Sequence, residues 1–523
     1  ATRLALSVDD PEEDAGDSTK AKPPKPIVLD RYHFKQDVQG YLGNQKSHLY
    51  VLDIATKKNE QITSGKYDEN NPSWSPDGKW IAFVSDRSPD PDRSVNTDVY
   101  VIEAKPGAEM RRVTTFEGDD NNTGSKVAWS PDGKTLAYVR SSTAGMSIYD
   151  QYRLAVVPVA GGEPRLVAES LDRPVTAPRW TADGQSLLFL VTDDRTQYVA
   201  RTRVAGGPVE KLTTGPRVVQ ALALGNGKMA VLASTSTEMP EVHALENGTL
   251  RPLTHQNDTW LAEIQLGTTE GIEFKTPDGA DVHAVMTKPA TANGKLPTLI
   301  RIHGGPTSQD QYSFNFEREL FAANGYVVVS PNYRGSNGRG EKFMSAISGD
   351  WGNKEVIDVL AATDYVVGKG IADPDKLGIG GWSYGGITTD YTIATTPRFK
   401  AAISGAGSAL QTSMYGVDQY ILQYETELGA PWKNPDAWMK VSYPFFHADR
   451  IKTPTLFMSG EKDFNVPTAG SEQMYQALKS LGIDTQLVIY PNAFHGITLP
   501  SYRVDRLERY IKWYDRYLKP VAQ

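Results

Sequence analysis

The sequence predicts two domains of different class: an all-β domain of repeated short sheets over residues 1–265, then a mainly parallel α/β sheet with helices on both faces over residues 266–523. Three observations predict it. A turn phrase recurs in the first half, a second phrase closes each repeat, and in the second half apolar strands alternate with amphipathic helices.

The turn phrase reads Trp74-Ser75-Pro76-Asp77-Gly78, then Trp129-Ser130-Pro131-Asp132-Gly133, then the degraded Trp180-Thr181-Ala182-Asp183-Gly184. Pro presets φ and Gly accepts positive φ, so Pro-Asp-Gly is turn chemistry with a mechanism. An apolar strand follows each, as in Trp80-Ile81-Ala82-Phe83-Val84. The closing phrases are Ile62-Thr63, Val113-Thr114, Leu166-Val167, Leu212-Thr213 and Leu253-Thr254. A period of roughly 40–55 residues built from about four strands is the signature of β-propeller blades. Five closing phrases predict four to five blades, and the charged stretch Asp9 to Pro26 reads as a solvated loop. An incomplete ring leaves a sheet edge unpaired. The expectation is therefore an incomplete propeller whose N-terminal blades precede Ala1 or sit on a separate N-terminal fragment.

The remaining bulk properties exclude more than they assign. Lys plus Arg is 55 against 63 Asp plus Glu, a net charge of −8, without the clustered cations that a nucleic-acid partner requires. Cysteine is absent, which removes disulfides, thiolate metal sites and cysteine nucleophiles. No apolar run reaches the ~18 residues of a membrane helix, so no membrane partner is expected. The first residues do not read as a signal peptide, and the absent initiator Met points to processing or truncation. The compartment is left open between cytoplasm and periplasm for a soluble chain, as is the oligomeric state, a homo-oligomer included.

In the second half, strands are predicted at Pro297–Ile302, Tyr326–Ser330, Leu377–Gly380, Thr455–Met458 and Gln486–Ile489. Helices are predicted at 354–367, 386–395, 471–481 and 504–517. Such alternation means a mainly parallel sheet covered on both faces. Gly381-Trp382-Ser383-Tyr384-Gly385-Gly386 stands between a strand and a helix, the setting of the nucleophile elbow of an α/β-hydrolase. Ser383 is the candidate nucleophile. A serine hydroxyl needs a base, and the chain order Ser, acid, His leaves His495, in the loop Tyr490 to Gly496. The acid is Asp463, directly after strand Thr455–Met458, whereas Asp484 falls at the opposite end of the sheet. The backbone N–H groups of Tyr384 and of Gly305, in His303-Gly304-Gly305-Pro306, are the expected oxyanion donors. His303 is expected to support that loop. No His/Asp/Glu grouping has metal-ligand spacing, so neither metal nor other cofactor is expected.

With these residues in place, the sequence resembles the prolyl oligopeptidase family of serine peptidases, nearest its acylaminoacyl-peptidase branch. The resemblance rests on His303 to Pro306, Pro331 to Ser336, Gly349-Asp350-Trp351-Gly352, Gly381 to Gly386, Gly460 to Pro467, His495-Gly496-Ile497 and the stretch Gly40 to Tyr50. It implies a propeller that caps the active site and limits access to short peptides. It also implies substrate-binding roles for Tyr384 and Val466 at the first specificity pocket, and for Asn465 on the substrate's next carbonyl. Tyr415, Tyr420, Tyr424 and Trp432 are expected either as pocket wall or as ordinary core or lid aromatics. Dipeptidyl peptidases of the family use paired glutamates flanked by aromatics, and Glu12-Glu13 has no aromatic company. The expected function is a serine peptidase acting on short peptides through an acyl-enzyme. The alternatives are a dipeptidyl peptidase, a carboxylesterase using the same triad, and an inactive propeller scaffold.

Overall fold

The computed structural model describes residues 2–11, 26–121, 124–145 and 147–519. The expected solvated loop, with Glu12 and Glu13, lies largely outside the described residues. The residues before it form a strand, Arg3–Asp9, that pairs with Ser47–Asp53. This three-stranded sheet, completed by Asn59–Gln61, is the first of five. Four-stranded sheets follow over residues 70–112, 128–166, 175–211 and 218–252, the last two joined by the single parallel pair Gln197 and Val218.

Alternation along each strand stacks these sheets face to face. Ile81 and Phe83 pack against the first sheet with Leu49 and Val51, while Ala82 and Val84 pack against the third with Leu136 and Tyr138. Ala137 and Val139 then meet Leu187 and Phe189, and Leu188 and Leu190 meet Val219 and Val231. A period of two buried on both faces is what radially packed blades require.

Both recurring phrases have a physical role. Asp77 Oδ1 accepts from Ser75 Oγ (2.6 Å) and Lys79 N (3.1 Å), with Gly78 at φ 68°. Asp132 and Asp183 repeat the arrangement, Thr181 supplying the hydroxyl where the third copy lacks serine. The indole N–H of Trp129 donates to Ser73 O (3.1 Å) and that of Trp180 to Ala128 O (2.9 Å), so each tryptophan stitches its sheet to the one before. The closing threonines accept backbone N–H groups through their hydroxyls: Thr63 from Leu49, Thr114 from Val99, Thr213 from Val199 and Thr254 from Val242.

The second half is one eight-stranded sheet. Its strands are β1 (Thr268–Lys275), β2 (Asp281–Lys288), β3 (Leu296–Ile302), β4 (Val327–Asn332), β5 (Ala372–Trp382), β6 (Ala401–Gly405), β7 (Thr455–Gly460) and β8 (Thr485–Tyr490). The order is β1-β2-β4-β3-β5-β6-β7-β8, antiparallel through β1, β2 and β4 and parallel from β4 onward. Helices α1 (Phe316–Ala323), α2 (Lys354–Gly368), α3 (Tyr384–Thr395), α4 (Ile421–Glu427), α5 (Pro435–Val441), α6 (Thr468–Ser480) and α7 (Pro500–Leu518) accompany it. This is the α/β-hydrolase arrangement behind a bladed β domain. Among the described residues no helix is long and apolar enough to cross a membrane.

The halves are tied by charge. Arg195, between two strands of the fourth sheet, bonds Asp194, Glu273 of β1 (both 2.8 Å) and His283 Nδ1 of β2 (3.3 Å). Asp194, Glu273 and His283 have ligand atoms within 4.8 Å of one another, a grouping that their sequence spacing hid. The guanidinium already serves as the cation among them.

Candidate active site

β5 ends at Trp382 and α3 begins at Tyr384, so Ser383 alone makes the turn, at φ 62° and ψ −128°. Positive φ is costly for a serine and persists where neighbours over-determine it. The glycines supply the room: a Cβ at Gly381 or Gly385 would collide with the Ile302 carbonyl, and one at Gly386 with that of Gly405. Among the described residues Ser383 Oγ makes no hydrogen bond, to His495 or to any other group. It faces a cavity of about 180 Å³.

Asp463 and His495 come together from loops after β7 and β8. His495 Nδ1 and Asp463 Oδ2 lie 2.7 Å apart, and Asp463 Oδ1 accepts the backbone N–H groups of Asn465 (2.9 Å) and Val466 (2.7 Å). Burial pushes the Asp463 carboxyl up, against the opposing pull of its bond to His495. The two loops are in van der Waals register at Gly460, where a Cβ would strike the carbonyls of Ala493 and Phe494. Trp382, beside the serine, donates its indole N–H to His495 O (3.1 Å). The imidazole loop is thus pinned to the elbow although the Ser383 and His495 side chains are not bonded. Such contacts often tighten only when substrate is bound.

The remaining predicted residues surround the same cavity. Gly305, Tyr384, Asn465 and Val466 line it with Ser383. As the first residue of α3, Tyr384 has a backbone N–H without an intrahelical acceptor. The Tyr384 hydroxyl donates to Glu355 Oε1 (2.9 Å), which also accepts Gly352 N–H (2.6 Å), and burial pushes the Glu355 carboxyl up to about 7. Asn465 Oδ1 accepts from the Tyr420 hydroxyl (2.6 Å), which fixes the amide with its oxygen engaged by that ring. His303 is held aside: Nε2 meets Ser336 Oγ (2.9 Å), the ring stacks on Tyr333 at 4.5 Å, and burial lowers its pKa. Asp484 pairs with Arg516 between α6 and β8, away from these loops.

Of the four expected aromatics, Tyr420 and Tyr424 line the cavity. Tyr415 instead packs edge-on against Trp432 and Trp438, and Trp432 is 70% exposed. The sequence reading did not place Trp351, Ile387, Asp418 or the propeller residue Ile148 in this site, yet all four line it. Asp418 accepts from the Tyr424 hydroxyl (2.5 Å), and burial pushes its carboxyl up to about 7. Trp351 had a visible signal in the Gly-Asp-Trp-Gly motif; Ile148 and Asp418 had none.

Comparison with known proteins follows the same division. Residues 312–521 match the profile of the prolyl oligopeptidase family and residues 41–155 that of the TolB β-propeller domain. The uncharacterized peptidase YuxL of Bacillus subtilis is 29% identical over 98% of this chain and 80% of its own. Dipeptidyl-peptidase 5 of Porphyromonas gingivalis is 27% identical over 86% of this chain and 66% of its own. The uncomplexed acylaminoacyl peptidase of Pyrococcus horikoshii superposes with a TM-score of 0.84 at 21% identity, over 100% of this chain and 81% of that one.

Proposed function

The chain belongs to the prolyl oligopeptidase family of serine peptidases, and on that premise we propose that it hydrolyses short, N-terminally blocked peptides through an acyl-enzyme on Ser383. His495 takes the serine proton and later returns it to the leaving amine, while Asp463 holds the ring and stabilises its protonated form. The N–H groups of Gly305 and Tyr384 stabilise the oxyanion. The observation that carries this reading is the 2.7 Å Asp463–His495 bond beside a serine held at positive φ over an open cavity.

The cavity walls favour an apolar side chain at P1, since Ile148, Trp351, Tyr384, Ile387, Tyr424 and Val466 dominate them. Among the described residues Asp418 is the only carboxylate in the lining, and it already accepts from Tyr424. Among the described residues a free substrate ammonium would find no paired glutamates in that lining, which supports a blocked N-terminus. The test compares acetyl-phenylalanine p-nitroanilide with Ala-Phe p-nitroanilide bearing a free amine. Faster turnover of the acetylated amide is expected; cleavage of the free-amine peptide alone would move the enzyme to the dipeptidyl peptidases.

Asn465 supplies a narrower check. With Oδ1 engaged by Tyr420, its NH2 group is the one to donate to the carbonyl preceding the scissile bond, and one such hydrogen bond contributes about 1 kcal/mol. Asn465→Ala should therefore raise KM for a blocked dipeptide amide roughly fivefold to tenfold, with a smaller change in kcat. An unchanged KM would remove Asn465 from the binding site.

A further inference from the structure

We propose that Asp37, on a hairpin emerging from the propeller side of the chain, is a positioning residue that holds the main chains of the Asp463 and His495 loops in one register. The inference rests on reading Asp463 and His495 as the catalytic pair.

The hairpin is short, with Lys35 opposite Tyr41 and Gln36 opposite Gly40 across a three-residue tip. Asp37 Oδ1 accepts the N–H of Phe464, the residue after the acid, at 3.1 Å. The N–H of His495 itself points at the same carboxylate, 3.4 Å from Oδ1 and 3.3 Å from Oδ2. One side chain thus bridges, through backbone, the two loops that the Asp463–His495 bond joins through side chains. Charge-assisted acceptance of two backbone N–H groups is the stronger kind of hydrogen bond.

The tip is fastened independently. Asp37 N–H donates to Gln419 Oε1 (2.8 Å), and Lys35 Nζ donates to Val417 O (3.0 Å). Lys35 Nζ stands 5.5 Å from the Phe464 ring centroid, and Tyr41 packs on that ring at 5.6 Å. Next to Asp37, Val38 sits at φ 71° and is 69% exposed. A β-branched residue pays for that backbone conformation, and its exposed side chain gains little burial in return. The strain is therefore sustained by what the tip grips rather than by the tip itself.

A second charge argument gives the test its handle. Asp463 and His495 face the Asp37 carboxylate from the catalytic loops, while Lys35 of the hairpin and Asp418 of the segment before α4 face each other. Removing the Asp37 anion takes a negative neighbour away from the protonated catalytic pair. The acid limb of activity should then move to lower pH, an effect that a purely structural brace would not produce.

The experiment measures kcat, KM and the pH profile of kcat/KM for wild type, Asp37→Asn, Asp37→Ala and Val38→Gly on a blocked amide, with thermal melts alongside. Both Asp37 variants should lose kcat by ~10²-fold, with KM within about threefold, because small displacements of the pair are costly. Their acid limb should fall by on the order of half a pH unit. Val38→Gly keeps the carboxylate and relieves the strain, so its kcat should stay within about twofold of wild type. Wild-type kcat and profile in Asp37→Asn would overturn the proposal. So would a loss that follows a lowered Tm while the acid limb stays in place. Activity surviving in Ser383→Ala would instead sink the underlying assignment of the triad, a separate result.

Discussion

Ser383→Ala is expected to lower kcat for a peptide p-nitroanilide by on the order of 10⁶ and to abolish labelling by a fluorophosphonate, with an unchanged thermal melt. The size follows from the residue's single role. Its backbone is set by β5, α3 and the flanking glycines, none of which needs the hydroxyl. Among the described residues Oγ has no hydrogen-bond partner, so its removal leaves no buried group unsatisfied, and alanine meets the same φ restriction as serine. The oxyanion donors and the cavity survive, which leaves a residual rate above that in water. A variant retaining more than a tenth of wild-type kcat would show that the reacting nucleophile lies elsewhere.

Asp463→Asn should cost ~10⁴ in kcat with little change in KM, for a reason particular to this loop. Asn465 and Val466 both donate backbone N–H groups to Oδ1, so the carbonyl oxygen of the new amide must occupy that position. Its NH2 group then faces His495 Nδ1 from the place of Oδ2, 2.7 Å away in the wild type. The ring answers by accepting at Nδ1 and carrying its proton on Nε2, where it can no longer take one from serine. Stability should not suffer, because the buried carboxyl is held above its usual range and ionises at a cost that asparagine does not pay. Sign and pH window follow: with its folded pKa raised, ionisation of Asp463 lowers stability as pH rises beyond the unfolded carboxyl range. The Tm advantage of Asp463→Asn should therefore be larger at neutral pH than in acid. Steady-state kinetics with melts at two pH values checks both halves, and a kcat loss below tenfold would remove Asp463 from the orienting role.

Much of this arrangement was legible because the relevant signals are local. Strands buried on both faces read as apolar runs, the serine and the acid each sit just past such a run, and the histidine follows the shorter apolar stretch of the edge strand β8. Elements lacking that contrast were not predicted. β1 alternates exposed polar residues along Thr268–Lys275, β6 is only five residues long with Ile403 its one large side chain, and α1 buries Arg318 and Glu319 on its inner side. The strand Arg3–Asp9 is likewise unassigned in the sequence, although its partner Ser47–Asp53 begins within the stretch Gly40 to Tyr50 that carries the family resemblance. What stayed hidden, in the site and at the junction of the two halves, arises from contacts between distant segments. Ile148 reaches the cavity from the propeller, Asp418 from an irregular stretch before α4, and Arg195 finds its partners on β1 and β2. Trp432 shows the reverse case: an aromatic between serine and acid in sequence that lies outside the cavity lining and is mostly exposed.

The bond from His495 N–H to Asp37 spans 458 positions of the polypeptide. During translation at roughly 5–20 residues per second, the hairpin leaves the ribosome tens of seconds before the imidazole it braces. A nascent or prematurely released chain therefore carries the serine elbow without the other half of its machinery. On the proposed reading, full hydrolytic power waits for the Asp37 hairpin and the His495 loop to dock, although 458 positions of chain separate them.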